Sequence, residues 1–273
     1  YEKHGKENVD FISFHRTAKR GNVARNLVYK HHSEETKQKI RDSNVKSWSG
    51  DDERREKSRR LMIEYCSPKS HSEESEKKRR EVLKVISKSS FLVIDKKISQ
   101  LHPQIIKYWD REFVYVIEAK ESNKELETCQ NLIKALTSVA FKKDMAIVAI
   151  GGGITQDVSS FVASVLYRGV DWIFIPTTLL AQADSCMGSK TSINFNGVKN
   201  ILGNFFPPRK IFCFTDFLSS LSENDIKSGI GEILHYYIVD DSSFAESLNF
   251  DYEKIILNPP EIYPYIIESL SIK

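Results

Sequence analysis

Cysteine is scarce: Cys66, Cys129, Cys186 and Cys213 are the four in 273 residues, and they form no CxxC pair. Such spacing supports neither a disulfide framework nor a zinc ribbon, and a reducing cytoplasm is the plain reading. Long apolar runs are missing too. Met145–Ile150 is among the longest, far short of the roughly 20 residues that cross a bilayer, so no membrane span is expected. The first thirty residues are charged throughout and carry no apolar core of a secretory signal. Tyr1 stands where a Met would open a chain, and Lys273 falls inside a helical pattern, so a fragment is expected at both ends.

Net charge is also nearly absent, at +3, but the average hides a division. Residues 1–80 hold 21 basic and 14 acidic side chains, whereas residues 81–273 hold 19 and 23. Within the basic part, His32-Ser-Glu-Glu-Thr36 recurs as His71-Ser-Glu-Glu-Ser75, with Asp51-Asp-Glu-Arg-Arg55 opening a similar stretch. A capping oxygen and acids followed by Lys and Arg suit short helices. Their apolar residues are too few for a shared core. Residues 1–82 therefore read as a basic helical arm, either a solvated face or a track for a phosphate backbone through clusters such as Arg54–Arg60 and Lys77–Arg80. The stretch His32–Trp48 resembles the NUMOD-type DNA-binding repeats of homing endonucleases, and Glu7–Ser13 resembles the segment that closes their HNH domains. Only His4 precedes Asn8, so no nuclease activity is expected. The resemblance implies DNA contact by residues 1–80.

From Ser89 onward the pattern changes. Phe91–Asp95, Phe113–Ile117, Met145–Ile150 and Asp171–Pro176 read as strands, alternating with helices over Leu126–Ala140 and Thr155–Tyr167. This alternation predicts a parallel α/β sheet over residues 83–216, with ligands beyond the carboxyl ends of its strands. Residues 217–273 read as the start of a helical domain. Gly151-Gly152-Gly153 lets backbone approach a pyrophosphate at a helix N-terminus, although it is equally a tight turn and lacks the GxGxxG pattern. Asp95 at a strand end could bind ribose hydroxyls or simply end the strand.

The order and spacing of Gly151–Gly153, Tyr167-Arg168-Gly169, Pro176–Ser185, Gly188–Thr191, Lys199-Asn200, Pro207-Pro208 and Gly231-Glu232 resemble 3-dehydroquinate synthase and its sugar-phosphate cyclase relatives over residues 88–273. The resemblance implies a Rossmann-like NAD-binding domain followed by a helical metal domain. It implies a lyase of the shikimate and aromatic amino acid route, cytoplasmic and homodimeric. Such an enzyme converts a heptulosonate phosphate into a carbocycle with loss of phosphate, using NAD and a divalent metal, zinc or cobalt. It also implies NAD contacts at Asp95, Glu121, Lys124, Gly151, Gly152, Gly153, Asp157, Thr177, Thr178, Leu180, Asp184 and Ser185. Substrate would meet Lys190, Lys199, Asn200, His235 and Lys273, with Arg168 serving the neighbouring subunit, and Glu232 would be a metal ligand.

Several positions depart from the family. His235 replaces a lysine, Ser189 a glycine, and Gln156 a glycine before Asp157. His235 points toward a related cyclase of a secondary or polysaccharide pathway. No histidine follows His235, although a catalytic zinc needs about three protein ligands. The metal site is therefore expected to be incomplete in this chain. The remaining alternative is an inactive chimera whose basic arm binds DNA.

Overall fold

The computed structural model describes residues 73–240 and 242–272. Of the helical repeats expected in the arm, those opening at His32 and Asp51 lie outside the described residues, as does the candidate Lys273, whereas the one opening at His71 runs into the first described helix. In chain order the first elements are α1 (Glu73–Ile86), β1 (Ser90–Asp95), α2 (Lys96–Leu101), β2 (Val114–Ile117), α3 (Leu126–Ser138), β3 (Ala146–Gly151), α4 (Gly153–Val165) and β4 (Trp172–Pro176). They are followed by α5 (Leu179–Ala183), β5 (Ile193–Phe195), β6 (Val198–Leu202), β7 (Lys210–Ile211), α6 (Glu223–Asp240), α7 (Ser242–Phe250), α8 (Tyr252–Leu257) and α9 (Tyr263–Ile272).

Five strands form one parallel sheet in the order β2-β1-β3-β4-β7. The continuous apolar runs follow from burial on both faces. Phe91 and Val93 point into one core with Cys129, Leu132 and Val158, while Leu92 and Ile94 point into the other with Ile98, Phe214 and Phe217. Order reverses at β1, which has β2 on one side and β3 on the other. Ile94 pairs with Ile150, so Asp95 and Gly151 follow at neighbouring carboxyl ends, beside the crevice where such sheets bind ligands.

Several boundaries shift by a residue or two, and some of the differences have local reasons. The helix expected over Thr155–Tyr167 begins at Gly153, capped by Gly152, and ends at Val165. Tyr167, Arg168 and Gly169 then take φ of 51°, 64° and 110°, a left-handed run that no α-helix continues through. At the other end of the unit, α1 runs unbroken across the expected arm boundary at residue 82. Its Leu83 is buried with Val82 and Ile86 packed beside it, a burial worth roughly 2 kcal/mol. Arg79, read as a possible phosphate contact, is instead buried, paired with Asp216 and stacked over Phe217 at 5.2 Å.

Beyond the sheet, α6 passes so close to α5 that a Cβ on Gly229 would stand 2.4 Å from Leu179 Cγ. Buried Tyr237 donates to Tyr265 O at 2.7 Å and packs on Phe244, joining α6 to α9 and α7. No described helix is long and apolar enough to cross a membrane.

Candidate functional site

The turn after β3 is built to leave helix α4 open. Cβ atoms on Gly151 and Gly152 would stand 2.4 Å from Thr155 Oγ1 and 2.8 Å from Thr178 Cγ2, so packing alone demands glycine at both. At Gly153 a Cβ would meet nothing within 4 Å. No side chain caps α4, its first turn carries no acid, and the Thr155 hydroxyl is buried without a partner among the described residues. Uncapped N–H groups beneath open space are what an anionic group needs. Thr177 N donates to Gly151 O at 3.0 Å, and Thr178 Oγ1 caps α5 by accepting from Ala181 N at 3.3 Å. Leu180 follows half-buried in the first turn of α5.

Asp95 closes β1 and caps α2, accepting from Lys97 N at 2.8 Å. Partial burial pushes its carboxyl above the ordinary range, against the opposing Lys97 amide and charge. Lys124 and Asp157 meet at 2.6 Å, both largely buried, and the ammonium also donates to Asn200 Oδ1 at 2.6 Å. Burial raises the Asp157 carboxyl even though Lys124 pulls it down. Glu121 is held low chiefly by a 2.9 Å bond from Asn194 Nδ2, with exposed Lys199 at 3.6 Å.

Asn194 was missed in the sequence and organises this cluster. Its N–H donates to Lys124 O at 2.7 Å and its Oδ1 accepts from Asn200 N at 2.9 Å. It thereby seats the β5–β6 hairpin on the Glu121–Lys124 segment. Nothing in an isolated Asn announces that role.

A second group gathers after α5. Tyr236 on α6 donates its hydroxyl to Asp184 Oδ1. Burial, Asp184 and the charge of Glu232 together raise the Tyr236 phenol far above its ordinary value. Glu232 stands one turn before Tyr236 on the same helix, and exposed His235 sets its ring edge-to-face on Tyr236 at 5.8 Å. Ser185 bonds to Gln156. Exposed Lys190 bridges to Phe205, and Ser189 before it adopts φ 54°, the left-handed region where glycine is unstrained.

Arg168 is not brought to this side of the sheet. It precedes β4, at the amino ends of the strands, whereas Asp95 and Gly151 end theirs.

Residues 114–228 match the family model described as 3-dehydroquinate synthase N-terminal. The 3-dehydroquinate synthase of Acetivibrio thermocellus is 34% identical over 152 residues, 56% of this chain and 42% of that protein. That of Pelagibacter ubique is 38% identical over 161 residues, 59% and 44%, and that of Thermodesulfovibrio yellowstonii 35% over 188 residues, 67% and 52%. The chain thus spans about half the length of the curated relatives it matches. Among solved structures, a 2-epi-5-epi-valiolone synthase from Streptomyces hygroscopicus subsp. jinggangensis, with NAD+ and Zn2+ bound, aligns with TM-score 0.64 and 25% identity over 69% of this chain and 55% of that one. A 2-deoxy-scyllo-inosose synthase complexed with carbaglucose-6-phosphate, NAD+ and Co2+ aligns with TM-score 0.61 and 26% identity over 70% and 56%.

Proposed function

We propose that this chain, which belongs to the 3-dehydroquinate synthase family over residues 114–228, binds NAD beyond β1, β3 and β4 and serves a cyclase that removes phosphate from a heptulosonate phosphate. The observation that carries the reading is the turn at Gly151–Gly153, where open space lies over Gly153 and the start of α4 has no side-chain cap. NAD, when bound, supplies the hydride acceptor that turns a ring hydroxyl into a ketone and so acidifies the neighbouring C–H.

The chain's own residues bind and orient. Backbone N–H groups of Gly152 and Gly153 and the positive end of α4 receive the pyrophosphate. Asp95 takes ribose hydroxyls with the oxygen its cap leaves over. Glu121, Lys124, Asp157, Thr177, Thr178, Leu180, Asp184 and Ser185 line the nucleotide side, as the family resemblance implies. Lys190, Lys199 and Asn200 draw the anionic substrate in, and His235 faces it from α6. Arg168, on the far side of the sheet, serves the phosphate of a neighbouring subunit in a homodimer.

Glu232 is the proposed ligand for a divalent metal. Among the described residues no three His, Cys, Asp or Glu side chains converge, so those residues do not fit a catalytic metal by themselves. The enzyme is assigned to the cytoplasm and the shikimate route to aromatic amino acids, with the α/β unit over residues 83–216 as the nucleotide domain and residues 217–273 opening the metal domain. A related sugar-phosphate cyclase is the second reading, favoured by His235 where the family has lysine. DNA contact by residues 1–80, with an inactive cyclase part, completes the alternatives.

Calorimetric titration of the full chain with NAD+, followed by an assay of phosphate released from a heptulosonate 7-phosphate, tests these readings. Binding with release supports the first, and release only from a different sugar phosphate supports the second. Absence of NAD binding overturns both. Salt-sensitive DNA affinity without NAD binding leaves the chimera.

A further inference from the structure

The peptide Ala183–Ser185 is gripped from three helices. Gln156 on α4 makes a reciprocal pair with Ser185: its Nε2 donates to Ser185 O at 2.7 Å, and Ser185 Oγ donates to its Oε1 at 2.6 Å. Tyr236 on α6 donates to Asp184 Oδ1, and Ser269 on α9 donates to Ala183 O at 3.3 Å. The Asp184 N–H bonds Leu180 O at 3.0 Å, closing α5. One residue earlier, wholly buried Gln182 donates to Pro176 O at 3.0 Å and Phe214 O at 3.1 Å, fixing α5 to the end of β4.

Gln156 is 3% exposed and follows Thr155 in the first turn of α4. A long amide in that position would cost stability if its polar atoms were left unmade in the interior. Both Nε2 and Oε1 of its amide bond to one residue, the neighbour of Asp184. An apolar side chain of the same size would fill the space, so the amide's distinctive contribution is directional.

We propose that Gln156 and Tyr236 are positioning residues that lock Asp184 at a fixed distance from the Gly151–Gly153 turn, Gln156 from the nucleotide side and Tyr236 from the helical side. The role rests on the nucleotide-binding reading above. The lock joins the two groups of site residues: a ligand seated on the α4 N-terminus meets an Asp184 already oriented, and so loses less conformational freedom on binding.

The test uses the full chain and two readouts. Hydrogen exchange of the amides at 184–190 reports the lock without any ligand, and calorimetric NAD+ affinity reports its use. Gln156→Met keeps the volume and removes both bonds, while Ser185→Ala is a milder variant that removes one and leaves the core filled. Faster exchange at 184–190 in both variants and in Tyr236→Phe is expected. NAD+ affinity should fall about tenfold in Gln156→Met, the scale of a buried hydrogen bond. In an Asp184→Ala background Gln156→Met should then cost no further affinity, which a merely structural loss would not reproduce. Unchanged exchange in the variants overturns the lock, and equal affinity losses with and without Asp184 overturn its positioning role. If the unsubstituted chain binds no NAD+, the functional reading fails, and exchange alone decides whether the lock exists.

Discussion

Lys124 Nζ lies 2.6 Å from Asp157 Oδ2, with side chains only 10% and 18% exposed. One ammonium thus joins the segment before α3 to the first turns of α4, and through Asn200 to the β5–β6 hairpin. Lys124→Met strands a buried carboxylate and is expected to cost roughly 3 kcal/mol in urea unfolding at neutral pH. Burial already raises the Asp157 pKa, and removing Lys124 raises it further. The folded state then holds a proton that the unfolded state releases, so the penalty shrinks as pH falls toward the ordinary carboxylate value. Adding Asp157→Asn to Lys124→Met should restore much of the loss at neutral pH. Equal stability of the two variants would refute the pairing.

Helix α1 supplies a second prediction. Leu83→Ala in the full chain should cost about 2–4 kcal/mol, because Leu83 is buried against the sheet. Val85→Ala, at a position 70% exposed, should stay within about 0.5 kcal/mol. Denaturant unfolding of the two variants decides whether residues 73–86 belong to the α/β unit or to the basic arm. Indistinguishable midpoints would return them to the arm.

Four of the five sheet strands were legible, most clearly where burial on both faces writes continuous apolar runs, as in Phe91–Ile94 and Ala146–Ile150, whereas the two-residue β7 was not. The start of α4 was legible as glycine punctuation. A helix after His71–Ser75 was legible too, but its attachment to the α/β unit was not, because Lys77, Lys78, Arg79 and Arg80 look alike in sequence. Only the fold brings Asp216, 137 residues away, to one of them. The β5–β6 hairpin was missed for a related reason. Its Phe195, Val198 and Ile201 stay exposed and only Ile193 is buried in the core, while Asn194 and Asn200 seat it through polar contacts distant in sequence. Gln156 and Tyr236 likewise acquire roles only from partners on other elements.

Neighbouring glycines should respond oppositely to one methyl group. Gly152→Ala places a Cβ 2.8 Å from Thr178 Cγ2 and disturbs the residue that caps α5, so a loss of roughly 1–3 kcal/mol is expected. Gly153→Ala meets no atom within 4 Å and replaces a helix-weakening glycine, so stability should hold or rise by up to about 1 kcal/mol. The added methyl group nevertheless projects into the space assigned to the pyrophosphate, and NAD+ affinity should fall at least about tenfold, a 1.4 kcal/mol effect. Thermal unfolding paired with calorimetry on Gly153→Ala separates the two effects. Unchanged NAD+ affinity would remove the phosphate from this turn.

His102 should make stability fall on mild acidification. Its Nε2 is buried without a hydrogen-bond partner among the described residues, and its ring stands edge-on to Phe217 at 5.1 Å. Burial lowers its pKa below the ordinary 6.5, the Arg79 charge lowers it further, and Asp216 opposes both. The unfolded chain therefore takes up a proton as pH drops through about 6.5 while the folded chain does not. Stability from this site is complete above that value and declines below it, until the folded imidazole also protonates. His102→Phe removes the titration and keeps a ring on Phe217, so the variant's unfolding free energy should change less than that of the unsubstituted chain between pH 7 and pH 5. Arg79→Met offers the reverse control. Without the guanidinium, Asp216 faces His102 unopposed, the imidazolium is favoured, and the acid-side loss should shrink or change sign. Parallel pH profiles for His102→Phe and the unsubstituted chain would refute the assignment.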